Sequence, residues 1–391
     1  MGKVGNQFTD SPEKKKQRVM AGMVAGIIAV VILIVLISIG DVKKDEVGTD
    51  IKLQISEYDN KVLLINDEIS GYLKENPYNV SAEKIHKSYT GDKRTMNRGL
   101  PVTFSYDIQN LYTGIFVKDA ELQIGESEYF TDAKVFSLEE KSIDIYSLKT
   151  NTKYYYSFKV TLSDNSILKE TSSFYTEDTP RIMNVDGVVN VRDIGGWKAE
   201  DNKRIRQGLL YRGSELDGAV ERYYRLSEKG LSEMINELKI KSEMDLRNPA
   251  VNEVETNILG NNVKHTYYNA PQYTDIFLPE NKETLCKIFS DMANKDSYPV
   301  YLHCTYGKDR TGTVCAVLEA LLGVSKEDIK RDYELSAFTY GTLNSTWFDD
   351  FINQLENFEG DTLQESAENY LLSIDVTEEE IENIKDIFLG E

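Results

Sequence analysis

A chain of 391 residues with 40% hydrophobic content is long enough for two or more domains and apolar enough to give them cores. Against 45 basic side chains stand 65 acidic ones, and the net charge of −20 argues against nucleic acid and against adhesion to anionic lipid through a global field. Cys286, Cys304 and Cys315 and the three histidines fall in no disulfide or metal-ligand spacing, so no disulfide framework, metal or other cofactor is expected. Cys286 and Cys315 read as small apolar core residues.

In chain order, residues 1–18 are polar and carry Lys14, Lys15, Lys16 and Arg18, and the 21 residues from Val19 to Ile39 contain no charge. That run is long enough to cross a hydrocarbon core of ~30 Å as a helix, and longer than the ~7–15 apolar residues of a cleaved signal peptide. Five positive residues precede it and three follow within residues 41–60. This bias predicts a single-pass membrane protein with a cytoplasmic N-terminal tail and the remainder, catalytic domain included, outside the cell. Ile51, Ile55, Tyr58, Val62, Ile65, Ile69 and Tyr72 then recur in alternating steps of four and three until Asn76-Pro77, which predicts a helical stalk over 50–76. Its stripe suits either a parallel coiled coil or packing on the chain's own core. With Gly22 and Gly26 four apart in the span, the first choice predicts a parallel homodimer.

Residues 100–177 change period. Val102-Phe104-Tyr106-Ile108, Ile143-Ile145 and Tyr154-Tyr156-Phe158-Val160 alternate every two residues between Asn, Asp, Gly and Ser turns, the pattern of strands without intervening helices. The segment Leu148 to Tyr154 resembles the corner of a fibronectin type III sandwich, where a tyrosine bonds back across the turn. Thr150 replaces the usual proline, and Phe104 stands for the missing early tryptophan. The expected role is a spacer or binding module. Residues 177–180 are a linker into a domain spanning 181–391.

That domain is organised around His303-Cys304-Thr305-Tyr306-Gly307-Lys308-Asp309-Arg310-Thr311-Gly312. An apolar run, Val300 to Leu302, precedes it, and Thr313 to Leu322 is apolar nearly all round, so the segment reads as a turn between a strand and a buried helix. The helix's first free N–H groups and its dipole favour an anion there. A cysteine at a helix N-terminus beside a cation becomes a thiolate nucleophile near neutral pH. Cys304 is therefore the expected attacking group and Arg310 the two-pronged donor to a phosphate. Asp309 is expected to protonate the leaving oxygen and then activate water. Thr311 is expected to donate to the thiolate and His303 to fix the cysteine's backbone, while Thr305, Tyr306, Gly307 and Gly312 line the cradle and Lys308 adds charge at its rim.

This loop resembles that of the cysteine-dependent tyrosine and dual-specificity phosphatases. Its Gly-Lys-Asp-Arg-Thr-Gly ending is similar to a bacterial branch acting on phosphotyrosine and on phosphoinositides, in which an aspartate within the loop serves as the acid. Asn190-Val-Arg-Asp-Ile-Gly-Gly196, Gly208-Leu-Leu-Tyr-Arg-Gly-Ser214 and Asp245-Leu-Arg247 resemble further motifs of the family. The resemblance implies an α/β domain with a central, mostly parallel sheet, a cysteinyl-phosphate intermediate, and phosphorylated protein, lipid or inositol substrates. Tyr306 departs from it, standing where a small residue is usual. Asp193 reads as the partner of a nearby arginine, and Asp193 and Asp275 are the alternative acids. A module that holds phosphate without turnover is the competing reading, which the combination of Cys304, Asp309 and Arg310 speaks against.

Overall fold

The computed structural model describes residues 51–250 and 258–390. The first strands form a sandwich: β1 (Lys52–Ile55), β2 (Val102–Gln109), β3 (Val117–Gly125), β4 (Lys134–Ser137), β5 (Ser142–Ile145), β6 (Lys153–Leu162) and β7 (Ile167–Tyr175). Its two antiparallel sheets are ordered β1-β2-β5 and β4-β3-β6-β7. The period-two residues Val102, Phe104 and Tyr106 on β2 and Tyr154, Tyr156, Phe158 and Val160 on β6 turn inward and are buried. Phe104 packs against the rings of Tyr58, Tyr156 and Phe174 at centroid separations of 5.8, 5.0 and 5.7 Å. At the corner before β6, the Lys149 N–H donates to the Tyr154 hydroxyl at 2.8 Å.

Two corrections concern the N-terminal third. Among the described residues no helix is long and apolar enough to cross a membrane; the longest has 13 residues where a span needs about 20. The single-pass membrane architecture is therefore not supported, nor is the extracellular placement that depended on it; the tail and the apolar run at 1–39 lie outside the described residues. The helical stalk is also absent. Its sequence forms β1, an irregular stretch, and only then a short helix, α1 (Asp67–Leu73), followed by α2 (Ala82–Ser88). Ile65, Ile69 and Tyr72 of the supposed seam are fully buried in the chain's own core. A heptad spacing records only that residues share a buried side, and here several elements rather than one helix deliver them there. A stripe so covered cannot form the dimer seam expected of it.

The C-terminal part contains a six-stranded sheet of β8 (Arg181–Ile182), β9 (Arg192–Asp193), β10 (Leu210–Gly213), β11 (Ser242–Asp245), β12 (Lys264–Tyr267) and β13 (Val300–His303). The order is β12-β11-β13-β10-β9-β8, parallel through the first four and antiparallel at β9 and β8. On β13 alternate residues serve opposite faces, with Val300 and Leu302 in the large helical core and Tyr301 in a smaller core below. A strand covered on both faces reads as a continuous apolar run, which is what preceded the cysteine in the sequence. The helices are α3 (Glu228–Ser232), α4 (Lys282–Met292), α5 (Asp309–Leu321), α6 (Lys326–Glu334), α7 (Ala337–Tyr340), α8 (Ser345–Leu355), α9 (Leu363–Ser373) and α10 (Glu378–Leu389). Every residue of α5 from Thr311 on is buried, so the helix that begins at the loop is fixed by packing.

Polar contacts tie the sandwich corner to this sheet. The Thr150 N–H donates to Gln207 Oε1 at 3.0 Å, Gln207 Nε2 returns a bond to the Thr150 carbonyl, and Arg181 of β8 donates to the carbonyls of Ser147 and Leu148.

Candidate active site

Cys304 follows the central strand β13, and residues 304–308 cross to the start of α5. What shapes the loop is the fate of its carbonyl groups. The Thr305 carbonyl accepts from the Glu215 N–H at 3.0 Å. That of Tyr306 accepts from Asn190 Nδ2 at 3.1 Å and the Tyr340 hydroxyl at 2.6 Å, and that of Gly307 accepts from Asn190 Nδ2 and Arg212 Nη2 at 3.2 and 3.0 Å. With these oxygens held by the surrounding protein, the N–H groups of residues 305–311 have no acceptor among the described residues. Such a run of free donors at the positive end of a 13-residue helix forms an anion cradle.

Two glycines permit the close approach. Gly307 has φ +61°, and a Cβ there would stand 2.1 Å from the Gly213 carbonyl oxygen at the end of β10. Gly312 lies against Tyr333 and Arg212, where a Cβ would be 3.0 and 3.2 Å away. The clamps are held in turn. Asp332 bridges Arg212 and Arg192, with Arg192 Nε at 2.8 Å, and Arg192 Nη1 donates to Asn190 Oδ1 at 2.8 Å. All three charged groups are about 1% exposed, so each stands only because the others compensate it.

His303 is fully buried between Glu243, whose Oε1 is 2.9 Å from Nε2, and the Cys304 carbonyl, 3.2 Å from Nδ1. Burial works against its charge, but Asp245 and the Glu243 bond outweigh that and push its pKa up to about 9. At neutral pH both ring nitrogens therefore donate, one of them to the cysteine's own carbonyl. Glu243, Asp245 and His303 bring ligand atoms within 4.8 Å of one another. Asp245 pairs with Arg247 at 2.6 Å and Glu243 with His303, so these donors are already taken up by cations in a buried ion network. Arg247 also pairs with Glu215 and Asp217.

Arg310 is half-buried, and its guanidinium makes no hydrogen bond or ion pair among the described residues, which leaves all its donors available. Asp309 Oδ1 accepts from the Tyr273 hydroxyl and from Asn344 Nδ2 at 3.2 Å, while Oδ2 lies 3.6 Å from Lys308 Nζ. Tyr273 continues through a 2.8 Å bond to the Tyr333 hydroxyl. Lys308 is thus drawn against Asp309, with a side chain 14% exposed, and is not the free rim charge expected of it. Thr311 is buried and its hydroxyl has no hydrogen-bond partner, so the expected bond to the Cys304 thiol is not made. Tyr306 is exposed and stands edge-on to Tyr224 and Tyr340 at 6.1 and 5.5 Å, which makes an aromatic wall. Asp193 is fully buried and makes no contact with the loop among its hydrogen bonds. Its oxygens accept from Arg181, Gly195 and Gly208, which assigns it to structure, and Asp275 is exposed on the short turn that carries Tyr273. Cys315 is buried on α5, where burial pushes its thiol up to about 12.

A buried cysteine between a parallel strand and a helix, followed by a run of unpartnered N–H groups and an unpaired arginine, is the combination a cysteine-based phosphate-handling loop requires. The profile of the tyrosine phosphatase family matches residues 183–390, and the chain belongs to that family. A Cupriavidus necator protein provisionally named a tyrosine-protein phosphatase is 25% identical over 186 residues, which cover 41% of this chain and 65% of that protein. A Nostoc commune tyrosine-protein phosphatase is 41% identical over 51 residues, 13% of this chain and 17% of that one. The chain thus spans less than two thirds of either curated relative. Among solved structures, the core catalytic domain of the PP-IP phosphatase SIW14 of S. cerevisiae, in complex with citrate, is 20% identical, covers 41% of this chain and 89% of that chain, and has a TM-score of 0.28.

Asn190, Arg212 and Tyr340 act on the loop without having been singled out for it. The first two stood within recognised motifs; Tyr340 carried no signal, and neither did Tyr273 or Asn344.

Proposed function

We propose that this chain hydrolyses phosphomonoesters through a cysteinyl-phosphate, with phosphotyrosine in proteins as substrate. The observation that carries this reading is the run of free N–H groups at residues 305–311, directly after Cys304 and including the unpaired Arg310. Cys304 Sγ attacks phosphorus and the bond to the tyrosine oxygen breaks. That oxygen takes its proton from Asp309, and Arg310 with the loop amides holds the three remaining oxygens as charge spreads over them. Asp309, now ionised, removes a proton from water, which attacks phosphorus and returns the thiolate and inorganic phosphate. Oδ1 of Asp309 already accepts from Tyr273 and Asn344, so Oδ2 is the oxygen left to carry the proton. The aromatic wall of Tyr306, Tyr224 and Tyr340 suits an aryl phosphate, and the retracted Lys308 weakens the case for phosphoinositides. We read the sandwich as a fibronectin type III-like spacer, a reading supported by the Tyr154 corner bond.

The test is Cys304→Ser, which keeps the cradle and removes the thiolate. Turnover of a small aryl phosphate should fall below detection while a phosphotyrosine peptide still binds. Residual activity within about tenfold of the unaltered protein would refute the mechanism, since loss of a covalent nucleophile costs orders of magnitude.

A further inference from the structure

A pocket of about 400 Å³ opens beside the aromatic wall, its lining including Lys93, Arg94, Asn97, Arg98, Tyr224 and Thr339. Three cations and no carboxylate line it, in a chain with 20 more acids than bases. Arg98 spends its donors on Asn184 Oδ1 and the carbonyls of Val185 and Val188, so its charge has no acid to offset it. Lys93 likewise donates to a carbonyl, that of Lys87, while Arg94 is paired with Asp92 outside. Glu221, which along with burial pushes the Tyr224 hydroxyl up to about 12, does not line the pocket.

A second observation points to a ligand. Asn97 is only 5% exposed, its amide donates to Asn190, Leu335 and Thr339, and its Oδ1 has no partner. A buried, unpaired acceptor is destabilising, and a ligand N–H or O–H reaching it from the pocket would relieve that. Asn97 also bonds Asn190, which holds the loop carbonyls, and the Tyr224 ring stands 6.1 Å from Tyr306 of the loop. The pocket therefore neighbours the cradle but is separated from it by the aromatic wall. An extended peptide gains about 3.3 Å per residue and can run from the loop along the wall to the pocket.

We propose that this pocket binds an acidic side chain of the substrate protein a few residues from the phosphotyrosine, with Lys93 receiving its negative charge, Arg94 exchanging its exposed partner Asp92 for it, and Asn97 Oδ1 accepting a peptide N–H. The proposal rests on the phosphatase reading of the neighbouring loop. It gives residues 93–98, which lie outside the 183–390 family match, a part in substrate choice.

The experiment measures binding of fluorescent phosphotyrosine peptides with acidic or neutral flanks to the full chain carrying Cys304→Ser, with and without Lys93→Ala and Arg94→Ala. Both side chains lie toward the surface, so folding should be kept. The acidic peptide should bind more tightly, and the double change should weaken it about fivefold, the effect expected of two rim charges, while the neutral peptide is unmoved and raised salt mimics the substitutions. Equal affinity for the two peptides, or a preference that survives the double change, would overturn the proposal. So would a loss confined to an inositol polyphosphate competitor, which would make the pocket a small-polyanion site. Aryl phosphate turnover by the unaltered protein, run in parallel, tells failure of this proposal from failure of the phosphatase reading.

Discussion

His303 and Asp309 lie six positions apart in one loop, yet their surroundings give them opposite tasks. Asp309 is half-buried and keeps one oxygen free of hydrogen bonds. Asp309→Asn should cost far more with an alkyl phosphate than with an aryl phosphate of low leaving-group pKa, because only a poor leaving group needs a proton in the transition state. Rates on a series of leaving groups check this; equal losses across the series would move the acid elsewhere. His303 is sealed in, and its pKa is raised from 6.5 to about 9 by Asp245 and Glu243 despite burial. A group raised in the folded state contributes stability that is full below about 6.5, its pKa in the unfolded chain, and that is lost as pH rises through about 9. Urea midpoints should therefore decline above neutral pH toward about 10, and His303→Gln should show a lower, flatter profile over that window. An unchanged decline in the variant would assign it to other groups.

At the scale of elements, the loop is shaped by β10 beneath it and by the clamp of Asn190, Arg212 and Tyr340. Gly307→Ala would set a Cβ 2.1 Å from the Gly213 carbonyl at a φ of +61°, and both faults must be relieved by moving the loop. Activity should drop by at least two orders of magnitude, since misplacing a site by about 1 Å can cost 100-fold, while thermal unfolding shows a smaller loss of stability. The spacing from Cys304 to Arg310 and the apolar runs on either side were legible in the sequence because strand, turn and helix are local. The clamp was not, because Asn190 lies 116 residues from Tyr306 and Arg212 95 from Gly307, a pairing only the folded sheet creates. The stalk misled for the opposite reason. Ile65, Ile69 and Tyr72 carry a genuine burial signal, but periodicity does not say which core receives them, and β1 could not be seen beneath a heptad.

On the scale of the whole molecule, the segment between β1 and β2 of the sandwich is part of the catalytic half. Tyr72 packs edge-on to Phe338 and donates to Glu334, and Asn97 reaches the clamp residue Asn190, so residues well outside the family match support the loop and line its approach. The strongly negative overall charge therefore says little about the site: a chain of net charge −20 keeps free amides and an unpaired Arg310 in one loop and gathers three cations in one pocket. The central claim is that phosphoryl passes through Cys304. Rapid acid quenching during turnover of an aryl phosphate, followed by peptide mass spectrometry, tests it directly. One phosphoryl group bound to the peptide containing Cys304, accumulating in Asp309→Asn and absent from Cys304→Ser, is the predicted result; steady turnover with Cys304 unmodified at every time point, or phosphoryl found on another residue, would contradict it.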